Sequence, residues 1–189
     1  VAWGKTKSNK KFSWVDLDNN GAIENIINYL IKKNHKHIAY INISEKYNFA
    51  SERKSSFLKT LKKNKIKFNK NYYTSIKLEE PEKSFEIVKN LLSKNKKITS
   101  IICSTEFSAL SAIKACNFLN LKIGKDISII TFDGPIVRDL STPPITAASF
   151  PVKELGKRAI NILFNKNSNN DNFLAKTEII ERGSVHTVK

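Results

Sequence analysis

Apolar and polar positions along the chain switch repeatedly between a period of about two and a period of about 3.6, the signatures of strand and helix. Ser13 to Leu17 reads as a strand, and Asn20 and Gly21 lead into a helix on which Ile23, Ile26, Ile27, Leu30 and Ile31 share one face. That helix should end near Asn34, a residue that tolerates the left-handed backbone just past a helix C-terminus. His37 to Ile43 is the next strand, followed by a loop with Tyr47 and Phe49 and a helix carrying Phe57, Leu58 and Leu61. Tyr72 to Ile76 reads as a strand, and Pro81, suited to a first helical turn, opens a helix with Phe85, Val88, Leu91 and Leu92. Thr99 to Cys103 is a short strand, after which Ser104 or Thr105 caps a helix with Ala109, Ile113 and Cys116 on its buried stripe. Beyond a loop from Gly134 to Pro144, the run ITAASF reads as a strand and Val152 to Phe164 as an amphipathic helix. An asparagine-rich turn from Asn165 to Asn172 then precedes a final strand, Phe173 to Glu181.

Strands alternating with helices imply an α/β fold with a mostly parallel sheet and right-handed crossovers. The nearly continuous apolar run Ile127, Ile129, Ile130 and Phe132 fits a parallel strand covered on both faces. It ends at Asp133, and in open α/β sheets ligands bind beyond the carboxyl ends of such strands. Asp133 is therefore a candidate ligand contact; the alternative is a turn or helix-capping aspartate.

Composition narrows the class. A chain of 189 residues, 40% of them hydrophobic, can bury one good core or two small ones. Its longest apolar run is far too short to span a bilayer, and its lysine-rich N-terminal segment is no signal peptide. It contains no methionine, so either an initiator was removed or the sequence begins inside a longer product, and the abrupt start in strand-like VAWG favours the second. The net charge of +16 invites nucleic acid. Yet only Arg53, Arg138, Arg158 and Arg182 among the 33 basic residues are arginine, and the lysines scatter over every polar face, which favours a solvated lysine surface. The same scarcity singles out each arginine. Cys103 and Cys116 match no metal or redox spacing and read as buried thiols, and His35, His37 and His186 form no metal motif. No nucleophile, base and orienting group stand in a recognisable pattern, and there is no GxxxxGK phosphate loop, so an enzyme is not expected.

Seven segments in order carry a resemblance: VDLDN at Val15 to Asn19, NHKHIAYI at Asn34 to Ile41, SERKSSF at Ser51 to Phe57, STEFSAL at Ser104 to Leu110, DISIITFDG at Asp126 to Gly134, PPITAASFPVKELG at Pro143 to Gly156 and ERGS at Glu181 to Ser184. Together they resemble the effector-binding region of the lactose- and galactose-repressor family of bacterial transcription regulators. The resemblance implies the two-lobed type I periplasmic-binding-protein-like fold, its lobes joined by three crossing strands. Asn34, Ser56, Thr105, Glu106, Thr131 and Gly134 depart from the family pattern. By analogy, residues 1–36 and 150–167 belong to a partial first lobe and residues 37–149 and 173–189 to the second. The DNA-reading headpiece is absent from this sequence, and the first lobe's wall of the cleft should be present only in part.

The same resemblance assigns a binding role to Arg53, whose rigid fork suits neighbouring hydroxyls, and to Asp133, which can accept hydroxyl donors. Phe49, or Tyr47, could offer a ring face to a sugar, although either could simply cover the core. Phe150 is a cleft or core residue, Thr105 a ligand donor or a helix cap, and Asp18 a ligand contact or a support of the crossing strands. The function implied is a sensor of a small effector, a sugar or related polar metabolite, within a cytoplasmic regulator. The alternative is a periplasmic sugar-binding protein of a transport system, which upstream sequence would distinguish. No cofactor, metal or membrane partner is expected; DNA is contacted only through the headpiece, and a homodimer forms through the second lobe.

Overall fold

The computed structural model describes residues 1–5, 12–164 and 171–189. The expected asparagine-rich turn lies largely outside the described residues, as does the end of the 150–167 segment. In chain order the elements are β1 (Ala2–Trp3), β2 (Trp14–Leu17), α1 (Asn19–Lys32), β3 (Ile38–Ile43), α2 (Asn48–Lys63), β4 (Tyr73–Ile76), α3 (Pro81–Lys94), β5 (Ser100–Cys103), α4 (Glu106–Phe118), β6 (Ser128–Phe132), β7 (Thr146–Ala148), α5 (Val152–Phe164), β8 (Asn172–Ala175) and β9 (Ile179–Ile180). They form two sheets, ordered β1-β2-β8 and β4-β3-β5-β6-β7-β9. Every pairing is parallel except β7 with β9. The two sheets are the cores of two lobes, in a mostly parallel α/β fold.

The second sheet is covered on both faces, and strand periodicity sorts its side chains. Ile38, Tyr40, Ile102 and Ile130 point to a core shared with α1 and α2. Their neighbours Ala39, Ile41, Ile101, Cys103 and Ile129 point to the opposite core, under α3 and α4. Each fully buried isoleucine contributes roughly 1.5–3 kcal/mol, which explains the apolar character of β3, β5 and β6 throughout. Cys103 and Cys116 are both free and buried in the second of these cores. Asn34 does take the left-handed backbone, with φ 64°.

Three assignments change. α1 does not belong with the first lobe, where residues 1–36 were expected. Its stripe of Ile23, Ile26, Ile27 and Leu30 packs against α2 and the second sheet, because a crossover helix covers the sheet whose next strand, β3, it feeds. The final segment is two strands rather than one. β8 pairs with β2 in the first sheet and β9 with β7 in the second, so residues 173–175 lie in the first lobe and the chain recrosses before Ile179. The loop after Asp133 contains a π-helical turn, Ile136–Leu140.

Three crossings therefore join the lobes, and the one at 175–178 is hydrogen-bonded to each of the other two. The Asp18 N–H donates to the Ala175 carbonyl (2.9 Å), the Ser149 N–H to the Glu178 carbonyl (2.8 Å), and the Glu178 N–H to Ser149 Oγ (2.9 Å).

Candidate ligand-binding site

A cleft of about 480 Å³ opens between the lobes at the carboxyl ends of β2, β3, β5 and β6, where an open parallel sheet offers loops and helix N-termini to a ligand. The volume suits one small molecule. The first lobe contributes Trp3, Gly4, Lys5, Asp16 and Leu17, with Asn19 at the crossing; the second contributes Tyr47, Asn48, Phe49, Arg53, Ser104, Thr105, Glu106, Phe132 and Asp133, and Phe150 sits at another crossing. A larger, open groove of about 1040 Å³ lies elsewhere, lined by Lys36, Lys65, Lys67, Lys70 and Lys97 among others, and holds none of the candidate residues.

Arg53 reaches the cleft from the second turn of α2 and is 7% exposed. Its guanidinium carbon lies 4.8 Å from the Phe49 ring centroid and 3.4 Å from that of Phe132, so two aromatic faces hold the cation. Nε donates to Asn19 Oδ1 (2.8 Å) and Nη1 to the Ser104 carbonyl. Both acceptors are neutral, and among the described residues Nη2 meets no acceptor. Burial lowers the guanidinium pKa to about 10, against the opposing pull of Tyr40, Asp16 and Glu52, so the group stays charged at neutral pH. Beside it, Ser104 Oγ is buried without a partner among the described residues.

Asp133 follows β6 and takes a partner that its local sequence does not announce. Arg182 Nη2 donates to its Oδ1 at 2.9 Å, with the two side chains 13% and 16% exposed. Arg182 is itself fixed, Nη1 donating to the Ile145 carbonyl and its backbone N–H to Thr146 Oγ1. Nothing local in the ERGS segment ties its arginine to an aspartate 49 positions earlier.

The remaining candidates divide. Phe49 lines the cleft and stacks on Tyr47, ring centroids 5.9 Å apart. Phe150 lines it and is 39% exposed. Thr105 also lines it, but its hydroxyl accepts from the Ser108 N–H (3.1 Å) in a capping box that starts α4. Asp18 does not line the cleft: its carboxylate accepts from the Gly21 N–H at 2.9 Å and caps α1. A Cβ on Gly21 would come within 2.4 Å of Asp18 Oδ2, so this cap relies on glycine. Asp16, two residues earlier, is the acid of that strand that lines the cleft, its oxygens accepting from the N–H groups of Leu17 (2.7 Å) and Lys5 (2.9 Å). Period-two alternation with buried Val15 and Leu17 could have marked it.

Glu106 ties two parts of this wall together. Oε1 accepts from the N–H groups of Ile136 (2.6 Å) and Val137 (3.0 Å), pinning the π-helical turn to α4. A Cβ at Gly134 would stand 2.6 Å from that oxygen, so the glycine leaves room for the carboxylate. Glu106 and Gly134 are thus sterically matched.

Residues 27–185 match the family model described as a periplasmic binding protein-like domain. The chain is 29% identical over 178 residues to the HTH-type transcriptional regulator RegA of Clostridium saccharobutylicum, covering 90% of this chain and 53% of that protein. A regulatory protein of the LacI family from Chloroflexus aggregans superposes with TM-score 0.83 at 24% identity, covering 98% of this chain and 68% of that one. A sugar-binding transcriptional regulator of the LacI family from Escherichia coli, complexed with phosphate, gives 0.81 at 22% identity, covering 93% and 64%. The chain spans about half the length of the curated relatives it matches.

Proposed function

The chain belongs to the periplasmic binding protein-like domain family in the form carried by LacI-family regulators, and from that premise we propose that its interlobe cleft binds a small hydroxylated metabolite, such as a sugar, as the effector of a transcription regulator. The observation that carries this reading is Arg53, a buried cation with neutral partners and an open N–H edge, sharing a cleft of about 480 Å³ with the carboxylate of Asp133. An arginine fork donates to adjacent hydroxyls, a carboxylate accepts from them, and the rings of Phe49, Phe150 and Trp3 offer apolar faces to a sugar's C–H surface. The assembly is a binding site; a transport-associated protein would share the fold, but the relatives described above are regulators.

Effector binding across the cleft favours the closed arrangement of the lobes by the difference in its affinity for the two arrangements. In the whole protein that shift passes through a dimer to a DNA-binding headpiece, in the cytoplasm. The dimer surface is the face of α3 and α4, where Ile87, Leu110 and Phe118 stay 37%, 37% and 63% exposed. Among the described residues, no helix is long and apolar enough to cross a membrane.

The test is a thermal-shift screen of sugars, polyols and nucleobases on the full-length protein, repeated with Arg53→Ala and Asp133→Ala. A stabilising compound whose effect vanishes in both variants is expected. A compound that stabilises both variants as well as the parent binds elsewhere and overturns the site.

A further inference from the structure

Arg182 does not line the cleft, yet it controls the acid that does. We propose that Arg182 fixes the orientation and cancels the charge of Asp133, making the cleft selective for neutral hydroxylated effectors over cationic ones; this rests on the effector-binding reading above.

The geometry constrains both residues. One arm of the Arg182 fork donates to the Ile145 carbonyl and the other to Asp133 Oδ1, while its backbone N–H donates to Thr146 Oγ1. Asp133 is held in turn through its own N–H, which donates to the Ala148 carbonyl at 2.8 Å. A planar fork tied at both arms cannot turn without breaking both bonds, so Oδ1 is committed and Oδ2 is left as the acceptor for a ligand. The two largely buried charges also neutralise each other.

The other charged residues of the cleft do not perform this function. Asp16 and Glu106 are satisfied by backbone N–H groups, Lys5 pairs with Glu52 at 3.2 Å, and Arg53, with neutral acceptors, adds a positive charge that leaves the state of Asp133 to Arg182. Asp133 is thus the cleft carboxylate whose charge is countered by a side chain from outside the cleft. Remove that side chain, and Asp133 keeps only the longer-range attraction of Arg138, itself paired with Asp139, and is suited to a ligand ammonium group; keep it, and the same carboxylate is a neutralised hydroxyl acceptor.

The experiment compares D-glucose, D-galactose, D-ribose and cellobiose with D-glucosamine and D-galactosamine, by equilibrium binding to the full-length protein. A neutral sugar should bind, and its amino counterpart at least about tenfold more weakly, the scale of one charge-assisted contact. Arg182→Gln should weaken the neutral sugar about tenfold and shrink the neutral-over-amino preference by a similar factor, while Arg182→Lys, which keeps the charge, should keep the preference. Asp133→Asn should lose neutral-sugar affinity, and adding Arg182→Gln should cost nothing more, because the arginine acts through the aspartate. Equal weakening of neutral and amino sugars by Arg182→Gln, additive losses in the double variant, or no change would each overturn the proposal. If Arg182→Gln fails to fold, Arg182→Lys and Asp133→Asn carry the comparison: loss of the preference in Arg182→Lys, or an unchanged neutral-sugar affinity in Asp133→Asn, would overturn it. Binding that depends on Arg53 with a preference untouched at Arg182 leaves the effector reading standing and removes only this inference; silence from every sugar in every variant removes both.

Discussion

Two acids of one short segment, Asp16 and Asp18, end in different jobs. Asp16 lines the cleft, whereas Asp18 closes the N-terminus of α1 through Gly21. Asp18→Ala should cost about 1 kcal/mol of stability, the usual value of an N-cap, and leave effector affinity unchanged when denaturant unfolding and equilibrium binding are measured side by side. A loss of affinity beyond the loss of stability would return Asp18 to the site. Residue type was informative where it was scarce: with four arginines in the chain, Arg53 stood out and does sit at the cleft. Arg182 stood out equally, but a pairing across 49 positions leaves no local periodicity or turn signal. Ser104, Trp3 and Asn19 were hidden for the same reason, since their place in the cleft depends on which strand ends the topology brings together.

Helices and strands were legible wherever a stripe or apolar run was long, as in α5, which spans the expected Val152–Phe164, and β3. Where a strand changes sheets, the pattern within it stays the same, so β8 and β9 read as one element although they pair with β2 and β7. The C-terminal tail beyond β9 is fastened to the second sheet through His35, which is 1% exposed just before β3. Its Nε2 lies 3.0 Å from the His186 carbonyl and its Nδ1 2.9 Å from Thr99 Oγ1. A carbonyl only accepts, so Nε2 carries a proton. Burial, outweighing its bond to His186, lowers the His35 pKa to about 4. The unfolded chain, with an ordinary histidine near 6.5, then binds the extra proton between these values and the folded chain does not, so stability from this group is complete above about pH 6.5 and declines as pH falls toward 4. The loss is of order 3 kcal/mol at most. Unfolding midpoints measured from pH 7 to 4.5 should fall more steeply in the parent than in His35→Gln; parallel slopes would contradict a buried neutral histidine.

At the scale of the whole molecule, the two lobes meet through three hydrogen-bonded crossings and one bridge across the mouth of the cleft. Lys5 Nζ lies 3.2 Å from Glu52 Oε1, and Asn48 Nδ2 donates to the Lys5 carbonyl at 2.8 Å. A partly exposed ion pair is worth about 0–1 kcal/mol, so Lys5→Met should weaken effector binding only a few fold while leaving the choice of effector unchanged. A change in selectivity would instead place Lys5 in direct contact with the ligand. The lobe division was readable only in outline, because a crossover helix such as α1 carries the same stripe whichever sheet it covers.

The central claim, that a small effector is held between the lobes by Arg53 and Asp133, is tested most directly by isothermal titration of the compound that most stabilises the full-length protein, against the parent and Arg53→Ala. Loss of hydrogen bonds from a charged donor should weaken binding about 10- to 100-fold; an unchanged affinity would show that the ligand does not occupy this cleft.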